Sequence, residues 1–66
     1  MNREDTLAKL ARIGYKLDQF PQGLLNAFCS KMDGSHVYAK YPLKRIQVIF
    51  HYFKEGWEAA QRRLDQ

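Results

Sequence analysis

The stretch Tyr41–Leu64, YPLKRIQVIFHYFKEGWEAAQRRL, decides how this chain folds. Its first half is crowded with Ile, Val, Phe and Tyr, residues that strands favour. Its second half is made of good helix formers. Two readings compete. As a helix with Pro42 in the first position, Leu43, Ile46, Phe50, Phe53, Trp57, Ala60 and Leu64 recur at steps of 3, 4, 3, 4, 3 and 4. That is an unbroken set of core positions on one helical face. As a strand, Ile46, Val48, Phe50 and Tyr52 share a face and can pair with HVYAKY (36–41) across a PLKR turn, giving an α+β alternative with a hairpin over residues 36–53. The heptad spacing continues past the β-like region, so the helix is the preferred reading, with Gly56 as the place where it can kink.

A helix here has a consequence. Leu43 to Leu64 supplies the core, with Trp57 among the core positions, while Val48 and Tyr52 fall on the opposite face and Ile49 on the flank. The first half is then apolar almost all round, as expected of a helix that is central to its fold or sits in an interface. A chain of 66 residues has little core with which to surround a central helix. Self-association as a homodimer through Val48, Ile49 and Tyr52 is therefore expected.

Working outward, two more helical segments precede this one. In NREDTLAKLARIGYKL (2–17), Asn2 caps the start, Glu4 and Asp5 suit the helix dipole, and Leu7, Leu10, Ala11, Gly14 and Leu17 form the apolar stripe. Gly14 in that stripe suggests close approach of another helix. In FPQGLLNAFCSKMDG (20–34), Pro21 fits the first turn and Asp33-Gly34 is a stop signal. Phe20, Leu24, Leu25, Phe28 and Met32 make the stripe, with Cys29 beside it as a buried inert thiol. The expectation is one all-α domain over 1–66, three helices with a long C-terminal one.

Composition narrows the function classes. The single cysteine rules out an internal disulfide, and a free thiol suits the cytoplasm. No apolar run approaches the length of a signal core or a membrane span. Cys29, His36 and His51, spaced by seven and fifteen, match no zinc signature. Neither a Gly-rich phosphate loop nor a nucleophile elbow occurs, so a non-enzymatic protein without metal or cofactor is expected.

Charge is the remaining signal. The formal net charge is +4, and its distribution is uneven. No acid lies between Asp33 and Glu55, an interval holding Tyr38, Lys40, Lys44 and Arg45. A second acid-free interval carries Lys9, Arg12 and Lys16 opposite the first apolar stripe. Cations interleaved with hydroxyl groups suit phosphate contact, with charge from Lys and Arg and neutral hydrogen bonds from Tyr. Lys44 and Arg45 also flank a helix start, whose free N–H groups favour phosphate. A helix-turn-helix fits poorly, because the recognition helix would run into Pro21. The expected role is a small regulatory nucleic-acid binder contacting DNA rather than RNA through Lys9, Arg12, Lys16, Tyr38, Lys40, Lys44 and Arg45. The alternative is an inhibitor or adaptor module that meets an acidic or apolar protein surface through the outer face of the third segment.

Overall fold

The computed structural model describes residues 1–64. Helix α1 spans Arg3–Ile13, α2 Gln22–Asp33 and α3 Leu43–Leu64, and single 3-10 turns occupy Leu17–Gln19 and Val37–Lys40. No strand occurs among the described residues, so the hairpin over 36–53 is not formed. HVYAKY coils into the second 3-10 turn, with the Ala39 N–H donating to the His36 carbonyl at 3.3 Å and the Tyr41 N–H to the Tyr38 carbonyl at 3.2 Å. Backbone groups satisfied locally in this way have no need of a partner strand.

Local chemistry sets the ends of the helices. The Asn2 side-chain oxygen accepts the Asp5 N–H at 2.8 Å, closing the start of α1. Both prolines sit one residue outside their helices. The Pro21 carbonyl accepts the N–H groups of Leu24 and Leu25, and that of Pro42 accepts those of Arg45 and Ile46. The end of α1 differs from the sequence expectation. The helix stops at Ile13, and Gly14 adopts φ 118°, while the Tyr15 N–H reaches back to the Leu10 carbonyl at 3.2 Å. Gly14 is thus a helix-ending residue in left-handed conformation, not a contact point in the stripe. A methyl group there would meet nothing within 4 Å.

The close approach occurs at Gly23 instead. A Cβ at this position would lie 3.3 Å from Cζ2 of Trp57, so the α2 backbone seats the indole directly. The glycines accordingly predict opposite outcomes for one substitution. Gly14→Ala is expected to destabilise by about 1–2 kcal/mol through backbone strain alone. Gly56→Ala, in open space within α3, is expected to stabilise by about 0.5–1 kcal/mol. Urea midpoints at unchanged m-value read both signs.

Leu10, Leu24, Leu25, Phe28, Met32, Ile46 and Phe50 form the buried core, one group from each of the three helices. Phe50 is its hub. Its ring meets Tyr15 at 4.8 Å, Phe20 at 5.4 Å and Phe28 at 4.8 Å between centroids, all edge to face. That is the arrangement aromatic quadrupoles prefer. Thr6 is fully buried on the same side, its hydroxyl donating to the Asn2 carbonyl at 3.0 Å.

Two stripe assignments change. Ala11 is exposed, and Thr6, Leu7, Leu10 and Ile13 supply the inner face of α1. At the other end, Ala60 is exposed and Leu64 is 78% exposed, so neither is core. The reason is length. At about 1.5 Å per residue, α3 runs about 33 Å against about 18 Å for α2. Beyond Trp57, which is half-buried against the core, the short helices no longer cover it.

Candidate nucleic-acid interface

Lys9 and Arg12 lie on one face of α1, one turn apart. The Val37–Lys40 turn folds against this face, so Ala39 joins Met1, Asp5, Ala8, Lys9 and Arg12 in lining an open cleft of about 330 Å³. One residue of the second basic segment, Ala39, thereby lies beside the two cations of the first. Lys40, next to Ala39, faces a second, largely apolar cleft of about 380 Å³ with His36, Val37 and Tyr41. The turn is a ridge with a cleft on either side.

Lys16 is not part of this assembly. Because α1 ends at Ile13, Lys16 falls in the connector beyond Gly14, exposed and adjacent to the Leu17–Gln19 turn. The expected Lys9/Arg12/Lys16 stripe is therefore broken after Arg12.

A ladder of rings and cations runs from the turn into α3. Lys31 Nζ lies 5.8 Å from the Tyr38 ring centre, Tyr38 and Tyr41 meet edge to face at 5.6 Å, and the Arg45 guanidinium sits 4.4 Å from the Tyr41 ring. Cation–π contacts of this kind orient a charge without neutralising it. Tyr38 and Tyr41 are half-buried, while Lys40, Lys44 and Arg45 are exposed. Sequence reading missed Lys31, which lies on α2 two residues before Asp33 and is the one Lys or Arg in the acid-free stretch 19–32, outside the two basic intervals. Its helical offset toward the 36–41 connection is the only signal that could have found it.

Carboxylates are sparse here. The two side-chain ion pairs among the described residues, His51 with Glu55 at 4.0 Å and Lys54 with Glu58 at 3.3 Å, both lie within α3. Neither engages Lys9, Arg12, Lys31, Lys40, Lys44 or Arg45. Asp5 is the acidic residue that lines the first cleft.

The outer face of α3 is open. Val48 is 52% and Tyr52 71% exposed. Ile49, expected in the same interface, is half-buried against the core and belongs to its edge. Among the described residues no three of His, Cys, Asp and Glu converge as metal ligands, and no helix is long and apolar enough to cross a membrane.

Cys29 of α2 is buried, and that burial pushes its thiol pKa up; the Arg3 guanidinium offsets the shift in part. The folded state therefore holds this proton to higher pH than the unfolded chain does. The resulting stability is full below the unfolded thiol's pKa and is lost as pH rises through the folded one. Cys29 is expected to resist alkylation at neutral pH until the chain is unfolded, and Cys29→Ala to flatten part of the alkaline decline in the urea midpoint.

Comparison of the chain with protein-family models, curated proteins and solved structures finds no match. What the surface does has to be argued from its own geometry.

Proposed function

We propose that this protein is a small, non-enzymatic regulatory protein of the cytoplasm that binds nucleic acid through its phosphates. The observation that carries the reading is the cleft in which the Val37–Lys40 turn meets Lys9 and Arg12. Its cations, Lys9 and Arg12, both come from α1, and Lys40 of the turn follows Ala39 and lines the neighbouring cleft; none of the three is engaged by the ion pairs of α3. Lys9, Arg12, Lys40 and Lys44 supply the leading charges, and Lys44 lies in the first turn of α3, whose positive end favours phosphate. Tyr38 contributes a neutral hydroxyl donor, and Lys16 a longer-range attraction. Arg45, stacked on Tyr41, is held at the margin of this surface.

Duplex DNA is the first probe, because a rigid backbone of regularly spaced phosphates matches fixed cations on a ridge. Anisotropy titration with random duplex at about 50 mM salt is expected to give a dissociation constant of about 1–100 µM, weakening steeply toward about 200 mM. Absence of binding to duplex at low salt overturns the DNA reading. Tighter binding to a single strand than to duplex replaces it with single-strand recognition by Tyr38, Tyr41 and the apolar cleft beside them.

A further inference from the structure

The outer face of α3 reads the same in both directions. Arg45, Val48, Tyr52 and Glu55 follow one another at steps of 3, 4 and 3. At about 100° per residue these four fall within a sector of about 80°, diametrically away from Ile46, Phe50 and Phe53. All four are exposed. A cation ends the set on one side, an anion ends it on the other, and the two large apolar side chains lie between. Reversing the helix exchanges Arg45 with Glu55 and Val48 with Tyr52.

We propose that α3 pairs with α3 of a second copy in antiparallel orientation, with Val48 against Tyr52 and Arg45 against Glu55 on both sides of a two-fold axis. An interface about a two-fold must be complementary to itself, and this stripe meets that requirement. The other arrangements fail on charge. A parallel pair sets Arg45 over Arg45 and Glu55 over Glu55, and like charges brought together across an interface oppose binding. An antiparallel pair shifted one heptad toward the C-terminus sets Arg45 against Arg62 and Tyr52 against Glu55.

The charged ends are prepared for these contacts. The Arg45 guanidinium is stacked 4.4 Å from the Tyr41 ring, which fixes its plane and leaves its edge to donate. Glu55 has His51 at 4.0 Å within its own helix, a loose contact on an exposed surface. Its carboxylate can accept a bidentate arginine without giving up a buried partner. Nothing from α1 or α2 obstructs the face, because both pack on the opposite side of α3. The pairing also covers Val48 and Tyr52, two of the four large apolar side chains exposed among the described residues.

The pairing shares Arg45 with the margin of the proposed nucleic-acid surface, and its readout is mass in free solution without nucleic acid, which tests it separately. Sedimentation equilibrium of the full chain is expected to show a reversible monomer–dimer equilibrium. Arg45→Glu and Glu55→Arg singly are expected to weaken dimerisation by about tenfold or more. The double variant, which restores opposite charges at both ends, is expected to return within about threefold of wild type. Val48→Asp is expected to abolish the dimer while circular dichroism and urea unfolding of the monomer stay unchanged. A monomer at every accessible concentration overturns the proposal and leaves the face to a different protein. A dimer that survives Val48→Asp places the contact elsewhere. A dimer that the double charge exchange fails to rescue refutes the antiparallel register.

Discussion

Phe50→Ala is expected to unfold the domain. The ring is fully buried and is met edge-on by Tyr15, Phe20 and Phe28, which come from the first connector, the approach to α2 and α2 itself. Deleting it removes the one side chain that all three share, and leaves a cavity between elements that are each too short to collapse inward. Truncation of a core Phe typically costs about 3–5 kcal/mol. A domain of this size has about 3–10 kcal/mol in total. The variant is therefore expected to lose most of its helical circular dichroism at 25 °C, or to melt without a cooperative transition. Phe50→Leu, which keeps most of the volume, is expected to retain a cooperative but earlier transition. Tyr52→Ser, two residues further along the same helix on the exposed face, is expected to shift the stability of the monomer, measured at a concentration below dimerisation, by less than about 0.5 kcal/mol. The contrast between these neighbours tests directly which side of α3 is the core. Equal losses at Phe50 and Tyr52 would contradict the packing.

The 3-4-3-4 recurrence from Leu43 to Trp57 was enough to override the β-like composition of VIFHYF, because a burial pattern summed over four turns outweighs local propensity. What the recurrence could not reveal was where its partners end. Ala60 and Leu64 fit the same spacing yet are exposed, since coverage depends on the lengths of α1 and α2 rather than on α3. Gly14 was ambiguous for a similar reason. A glycine at a stripe position and a glycine that ends a helix look alike in one dimension, and only the positive φ separates them. The inward Thr6 was hidden by its polarity, although a hydroxyl that bonds its own helix's first carbonyls is cheap to bury. The candidate surface was legible as two acid-free intervals. Their approach at Ala39 was not, because it depends on a 3-10 turn whose sequence, VYAK, carries no periodicity to read. Lys16 shows the converse failure. It has the right helical offset from Arg12 but lies past the end of the helix.

On the proposed nucleic-acid reading, neutralising Lys9, Arg12, Lys40 and Lys44 is expected to lower the salt dependence of DNA binding in proportion to the phosphates they contact. Each phosphate neutralised contributes about 0.9 to the slope of log affinity against log salt on duplex DNA. If Lys9, Arg12, Lys40 and Lys44 each engage one phosphate, Lys9→Ala with Arg12→Ala is expected to reduce the slope by about 1.8, and Lys40→Ala with Lys44→Ala by the same amount. Affinity at low salt falls correspondingly for every sequence tested, because phosphate contacts carry no base information. Lys16→Ala, whose side chain lies off the cleft, is expected to change affinity modestly and the slope by well under one unit. Lys54→Ala, already paired with Glu58 at 3.3 Å, is expected to leave the slope unchanged. Asp5→Asn removes the carboxylate from the cleft wall and is expected to strengthen binding. These variants all lie on exposed or half-exposed positions, so their unfolding curves should overlay that of wild type and isolate the electrostatic effect. A common slope change for Lys16, Lys54 and Lys9 would mean that the protein binds DNA through its net charge, with no cleft involved. A slope that drops only for Lys9, Arg12, Lys40 and Lys44 places the phosphates against the ridge formed by the Val37–Lys40 turn.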